Sequence, residues 1–319
     1  MKFIFILDPL DSLKTYKDTS VAIMREAAQR EHQLYVAMQG GLLLRHDRAR
    51  LIVQKFEFRQ GNDWYDLGDP MERSPSEFDA VLMRKDPPFD NEYLYSTYLL
   101  ELAAEQGAQV FNAPASVRDW NEKLSVARFP QFAPAFVATC HADLIRDFLS
   151  EHGDIVVKPL DGMGGSSVFR LHAQDHNIGV ILETITDFGR RTVMAQRYLP
   201  QIKQGDKRII IIDGEPLPYV LARIPKPGET RGNLAAGGTG VAQPLTERDH
   251  EIATTVGKVL KQQGLFLVGL DVIGDHLTEI NVTSPTGMVE IAAQTQGMDN
   301  PCQPASLFMD ALERKCAAS

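Results

Sequence analysis

The sequence predicts an α/β chain whose first part is an open parallel-sheet domain and whose C-terminal part is α+β. Three observations carry this. Phe3–Leu7 is a continuous apolar run, as in a strand buried on both faces of a parallel sheet. Short apolar runs then alternate with helical patterns over roughly residues 1–120. Further on, apolar runs come in adjacent pairs joined by Asp213-Gly214 and by Gly274-Asp275, which is hairpin chemistry.

After Phe3–Leu7, the stretch Asp18–Arg30 places Val21, Met24 and Ala28 on one helical face. Leu34–Met38 and Phe78–Arg84 are the next core strands, and 42–67 reads as strands and turns. Asn91–Gln106 is a helix and Gln109–Phe111 a strand. Residues 113–128 are expected to be helical after Pro114. A second unit over 121–200 reads strand, helix (141–152), strand (154–157), glycine loop, strand (167–171), helix (177–186) and strand (192–197). A third, over 201–319, holds the 206–223 hairpin, a long loop at 225–240, a helix at 247–262 and two strands over 266–282. Helices at 285–296 and 301–315 close it.

Composition narrows the function classes. The 319 residues are 44% hydrophobic and 24% charged, an ordinary globular balance. The net charge of −9 argues against sequence-independent nucleic-acid binding, which rests on clustered Lys and Arg. An anionic substrate would need local cations or a metal to overcome that field. The apolar run at the start is too short for a signal-peptide core, and no run approaches the ~20 residues of a membrane span. Cys140, Cys302 and Cys316 have no metal-like spacing and read as reduced thiols of a cytosolic protein.

Three patterns carry chemistry. The first is Val156-Val157-Lys158-Pro159-Leu160-Asp161-Gly162-Met163-Gly164-Gly165-Ser166. Glycines at 162, 164 and 165 let backbone N–H groups approach phosphate oxygens. With a strand on each side and a lysine before it, the loop is either a flap over a nucleotide or a mobile hairpin turn. It matches neither the P-loop nor the dinucleotide fingerprint. The second is Asp271 on one strand with Glu279 and Asn281 on the next. Glu279 and Asn281 share a face, and Asp271 joins it only through a three-residue turn or a bulge. A two-residue turn without a bulge would pair Asp271 with Thr278. Three hard oxygen donors suit Mg²⁺. The alternative is ordinary ion pairing with Arg208 and Arg223, residues that could equally serve a reacting carboxylate or phosphate. The third is the glycine-rich loop 225–240 with Glu229, Arg231 and Asn233, long enough to be a lid. Asp8 and Arg84-Lys85-Asp86 lie at carboxyl ends of strands, where such sheets bind ligands.

Together these describe an ATP site without a P-loop, and the chain resembles the ATP-grasp ligases, specifically bacterial glutathione synthetases. The resemblance is carried by Met83-Arg84-Lys85-Asp86-Pro87-Pro88-Phe89-Asp90, Asn121-Glu122-Lys123-Leu124, the stretch from Lys158 to Gly165, Thr230-Arg231-Gly232-Asn233-Leu234-Ala235-Ala236-Gly237-Gly238, and Thr278 to Thr286. These motifs span most of the chain. The resemblance implies an N-terminal α/β domain followed by an ATP-grasp fold with a lid loop, and a homotetramer in the cytoplasm. It implies ATP-dependent joining of γ-L-glutamyl-L-cysteine and glycine with Mg²⁺ (or Mn²⁺), and no nucleic-acid or membrane partner. Lys123 and Lys158 would contact ATP phosphates, and Gly162, Gly164 and Gly165 would form the flap. Gln196, Arg197, Tyr198 and Leu199 would line the adenine pocket. Asp271, Glu279 and Asn281 would hold the metal. Arg208 and Arg223 would be catalytic. Arg84 would bind the dipeptide, and Arg231 and Asn233 belong to the lid. The chain departs from the family pattern at Gly287-Met288-Val289-Glu290, where a basic residue is common. Another carboxylate–amine ligase, D-alanine–D-alanine-like or glutamate-adding, and a non-catalytic synapsin-like module share the ATP site. The Arg84–Pro88 cluster and the lid argue against the first, and the metal set with both arginines against the second.

Overall fold

A computed structural model describes residues 1–60, 63–162, 164–228, 232 and 237–318. The N-terminal part runs β1 (Lys2–Leu7), α1 (Thr19–Gln29), β2 (Gln33–Met38), β3 (Leu42–Arg45), β4 (Arg48–Phe58), β5 (Tyr65–Leu67), β6 (Met71–Arg73), β7 (Ala80–Met83), α2 (Asn91–Glu105) and β8 (Val110–Phe111). Its sheet is ordered β3-β4-β2-β1-β7-β8. The strands β2, β1, β7 and β8 are parallel, while β4 runs antiparallel to β2. The open parallel sheet therefore carries an antiparallel edge, built from the region read as strands and turns. Asp18 caps α1, its side chain accepting from the Val21 N–H.

The stretch 113–128 is not one helix. α3 (Pro114–Asp119) stops at Trp120, and Leu124–Arg128 forms a separate 3₁₀ turn. The Asn121 side chain accepts from the Lys123 and Leu124 N–H groups and so caps the second piece. The break leaves the Glu122 carbonyl free to accept from the Ile280 N–H. Tertiary pairing overrides helix propensity here.

The middle unit is β9 (Phe136–Thr139), α4 (Ala142–His152), β10 (Asp154–Pro159), β11 (Phe169–His172), α5 (Ile178–Ile185) and β12 (Val193–Arg197), with strand order β11-β10-β12-β9. The last part is β13 (Asp206–Ile212), β14 (Glu215–Ile224), β15 (Thr239–Pro244), α6 (Glu247–Gln262), β16 (Leu267–Ile273), β17 (His276–Asn281), α7 (Met288–Thr295) and α8 (Pro304–Ala318). Its antiparallel sheet is ordered β15-β14-β13-β16-β17. The Asp213-Gly214 turn is the expected two-residue hairpin, with both residues at positive φ.

The cores explain what is rigid. Ile4 and Ile6 of β1 pack in one cluster with Ile209, Val220 and Leu270, on one face of the C-terminal sheet. Phe3 and Phe5 pack in another with Ile210, Leu221 and Phe308, on the opposite face. The N-terminal and C-terminal parts thus share both cores. The middle unit has its own, built from Ile145, Ile155, Val157, Leu182 and Val193. Asn112 ties the first sheet to the last: its amide donates to Leu267 O and Val282 O and accepts from the Phe266 and Leu267 N–H groups. Among the described residues no helix is long and apolar enough to cross a membrane.

Candidate active site

A cavity of about 670 Å³ lies between the middle unit and the C-terminal sheet and extends to the loops after β1 and β7. Strand register builds its charged wall. Asp206 on β13 faces Arg223 on β14, Arg208 faces Asp271 on β16, and Asp271 faces Glu279 on β17. Asp206 and Arg208 are two apart, as are Glu279 and Asn281, so the period of two puts the whole row on one face. The turn after β16 has two residues, Gly274 and Asp275, since Ile273 pairs with His276. A bulge then restores the pairing of Asp271 with Glu279. Thr278 is the extra residue, and its hydroxyl donates to Asp271 O at 3.1 Å. The bulge alternative was therefore the correct one, and the three-residue turn was not.

The row is knitted by charge. Arg208 Nε donates to Asp271 Oδ1 at 2.5 Å and Nη2 to Oδ2 at 3.1 Å. Arg223 Nη2 lies 2.8 Å from Asp271 Oδ2 and 2.5 Å from Asp206 Oδ2. Lys158 Nζ donates to Glu279 Oε1 at 3.1 Å. Lys123 Nζ contacts Glu122, lies 4.0 Å from Glu279 and donates to Gly162 O at 2.8 Å. Four acids (Glu122, Asp206, Asp271, Glu279) meet four bases (Lys123, Lys158, Arg208, Arg223), so the wall is formally neutral. Gly269, opposite Asn281, makes room for this: a Cβ there would stand 2.9 Å from Arg208 Cδ and 2.9 Å from Pro285 Cβ.

Sharing decides where the protons sit. Burial opposes the charge of Asp271, but Arg208 and Arg223 outweigh it and hold the carboxyl well below its ordinary value. Burial likewise opposes the charge of Glu279, and Lys158 and Lys123 outweigh it. Asp206 has only a share of Arg223. Burial, with Asp271 and Glu279 nearby, pushes it up to about 7 despite the 2.5 Å contact. Burial and the neighbouring Glu279 also raise Glu122.

The opposite wall is the glycine loop between β10 and β11. Lys158 stands near the end of β10, and Gly164, Gly165 and Ser167 have positive φ. Gly162, Gly164 and Gly165 line the cavity, and so do Gln196, Arg197, Tyr198 and Leu199 at the end of β12. Arg170 stacks on the Tyr198 ring at 3.6 Å.

Most of the residues singled out from sequence thus meet in one cavity. Arg84 does not. It is 6% exposed and stands behind the wall, donating to Ser20 Oγ and Pro285 O, with Nη1 unpartnered. The physical reason is that β7 buries the side chain at its end under the N-terminus of α1. Arg231 and Asn233 lie outside the described residues. Among the described residues no group of three or more His, Cys, Asp or Glu is arranged to hold a metal; the expected set has two acids and one amide. Asn281 donates its amide to Gly269 O at 3.3 Å, leaving its oxygen for another partner. Sequence reasoning missed Asp206, Glu122 and Glu290 as lining residues. The spacing of Asp206 from Arg208 on a strand was the available signal for the first.

Comparison with known proteins gives these features a family. Residues 122–296 match the model of the prokaryotic glutathione synthetase ATP-grasp domain, and residues 1–118 match that of the prokaryotic glutathione synthetase N-terminal domain. A glutathione synthetase from Nitrosomonas europaea is 58% identical over 321 residues, covering 99% of each chain. One from Neisseria meningitidis is 54% identical, covering 98% of each. In fold, the chain resembles a solved D-cycloserine synthetase (TM-score 0.67, 14% identity, covering 98% of this chain and 99% of that one). It also resembles D-alanyl-alanine synthetase A from Vibrio cholerae (TM-score 0.62, 13% identity, covering 99% and 98%). The chain belongs to the prokaryotic glutathione synthetase family, and it is an ATP-dependent ligase with an ATP-grasp domain.

Proposed function

We propose that the charged row and the flap are the two halves of the catalytic centre of this ligase. The activity of the family is ATP-dependent ligation of γ-L-glutamyl-L-cysteine and glycine, giving glutathione, ADP and phosphate. The observation that supports the residue roles is the register that sets Arg223, Arg208, Asp271 and Glu279 side by side across four strands facing the glycine loop.

In this reading Lys123 and Lys158 bind ATP phosphates, with Gly162, Gly164 and Gly165 closing over them. Gln196, Arg197, Tyr198 and Leu199 hold the adenine. The cysteinyl carboxylate of the dipeptide takes the γ-phosphoryl group, and ADP leaves. The glycine nitrogen attacks the acyl carbonyl, phosphate leaves, and the nitrogen gives up a proton. Arg208 and Arg223 neutralise charge on the reacting carboxylate, work that needs positioning more than a protein nucleophile. Asp271, Glu279 and Asn281 would hold Mg²⁺ (or Mn²⁺); their hard oxygens fit it, and the free amide oxygen of Asn281 is an open donor. Such an ion would supply Lewis-acid neutralisation of phosphate charge. Arg208 and Arg223 keep Asp271 neutralised in the empty site. Arg84 acts on the dipeptide from behind, through Pro285.

The units 1–120, 121–200 and 201–319, a lid over 225–240 with Arg231 and Asn233, a cytoplasmic homotetramer and the absence of nucleic-acid or membrane partners complete the proposal. Protease should cut 226–240 in the empty enzyme, and Mg-ATP with dipeptide should protect it. The decisive experiment incubates the protein with Mg-ATP, γ-glutamylcysteine and glycine and weighs the product, while ADP release is followed with each substrate omitted. Tripeptide and ADP in equal amounts support the reading. Product from other amino acids alone would favour a different carboxylate–amine ligase.

A further inference from the structure

The middle unit has a core of its own, so the few contacts that join it to the C-terminal sheet govern how the two sides of the cavity meet. One joint lies away from the charged row, at the two-residue turn between β16 and β17. Gly274 in that turn has positive φ and lies against the 3₁₀ turn Pro200–Gln204, where its Cβ would stand 3.0 Å from Gln201 Cγ. Arg248 of α6 donates to Asp275 O at 3.3 Å and to Gln131 O at 3.4 Å, with its guanidinium 4.9 Å from the centre of the Phe132 ring. The segment before β9 reaches both sides: Phe132 O accepts from the Leu277 N–H and Ala135 O from the Arg197 N–H, each at 2.9 Å. His276 stands between them. It is not among the residues lining the cavity, but its Nε2 lies 3.5 Å from Nη2 of Arg197, which is.

An arginine only donates, so a neutral imidazole can accept from it, whereas a protonated one sets two cations side by side. The surroundings favour the neutral form. Burial lowers the proton affinity of His276, Arg197 on β12 and Arg248 on α6 lower it further, and only Asp275 in the turn opposes them. We infer that His276 is a positioning residue for the nucleotide half of the site: neutral, it steadies the Arg197 guanidinium at the end of β12, and a positive charge at this position drives that guanidinium away. The inference rests on the reading that Arg197 lines the adenine pocket. It deepens that reading by making ATP affinity answer to a proton held outside the pocket.

The test titrates Mg-ATP calorimetrically into wild type, His276→Gln and His276→Lys from about pH 5 to 8. The glutamine accepts without titrating, and the lysine is charged throughout. ATP itself gains a proton in this range, so the quantity read is the ratio of variant to wild-type affinity at each pH. Near pH 8 the glutamine variant should bind within about twofold of wild type and the lysine variant about 3- to 10-fold more weakly, the scale of one modest hydrogen bond. Toward pH 5 wild type should weaken relative to the glutamine variant and approach the lysine variant. In an Arg197→Met background the difference between glutamine and lysine should vanish. A lysine variant that binds like wild type near pH 8 overturns the inference, and so does a glutamine variant that follows the wild-type pH profile. A lysine effect that persists without Arg197 overturns it as well, because the charge would then act by another route. If His276→Lys does not fold, the glutamine variant compared with wild type near pH 5 carries the test. Binding indifferent to Arg197→Met alone would remove the pocket reading and the inference with it. Because the titration needs no turnover, a protein that binds Mg-ATP in this pattern yet makes no tripeptide loses only its assigned substrates.

Discussion

The two walls of the cavity hold their polar groups in different ways. On the sheet wall, Arg208 and Arg223 meet Asp206 and Asp271 across paired strands at 2.5–2.8 Å, and Lys158 reaches Glu279 from β10 at 3.1 Å. On the flap wall the working groups are backbone, carried by a loop with three positive-φ residues and tethered by Lys123 to Gly162 O. The first wall is organised before any ligand arrives, because changing it means breaking buried ion pairs. The second can move, because little apolar surface holds it. A site that must admit ATP and then exclude water needs one wall of each kind.

The difference can be broken from the sheet side with the largest effect. Asp271→Asn leaves Arg208 and Arg223 short of a counter-charge in a buried place. It should lose ligation and about 3–5 kcal/mol of stability in urea unfolding. Loss of activity without loss of stability would mean the arginines find other partners. Arg208→Met should lower kcat on the order of 10²–10³ in steady-state assays while ATP still binds in calorimetry. Gly269→Ala pushes on the same arginine without touching its charge, since its Cβ falls 2.9 Å from Arg208 Cδ. It should cost about 1–3 kcal/mol in urea unfolding and lower kcat more than the KM for ATP.

Asp206 sharpens the comparison through pH. Its folded value is raised to about 7 from an ordinary 3.8. The folded state therefore binds the extra proton, and the stability this group contributes is complete below about pH 4 and lost as pH rises through 7. Asp206→Asn should flatten the stability-versus-pH slope between pH 4 and 7 by at most about 1.4 kcal/mol per pH unit. An unchanged slope in denaturant titrations across that range would place the proton elsewhere in the row. The smallest effect belongs to the flap. Gly162→Ala brings a Cβ to 2.8 Å from Pro159 Cγ. It should raise the KM for ATP several-fold and change unfolding by less than ~1 kcal/mol, because the loop contributes little to any core. A stability loss equal to that of Gly269→Ala would erase the distinction between the walls.

Much of this was readable from local pattern. Apolar period and turn chemistry located β1, the Asp213-Gly214 hairpin and the paired strands of the metal-like set, because strand side chains alternate strictly. Glycine spacing located the loop between β10 and β11, where Gly164 and Gly165 take positive φ. The Asp271, Glu279 and Asn281 face was legible up to one residue of register. What sequence left open is what depends on neighbours distant in the chain. The helix expected over 113–128 broke because the Glu122 carbonyl is taken by Ile280. Arg84 looked like a ligand-binding charge at a strand end and turned out to be buried against Ser20 and Pro285.

The sequence by itself determined the class of fold, the order of elements and the types of donor available, since these follow from periods of two and 3.6 and from the chemistry of each side chain. Only the tertiary structure decided which acid holds its proton, which arginine serves which carboxylate, and which charges reach the cavity at all. Those outcomes depend on distance and burial, and both are set by strands brought together from opposite ends of the domain.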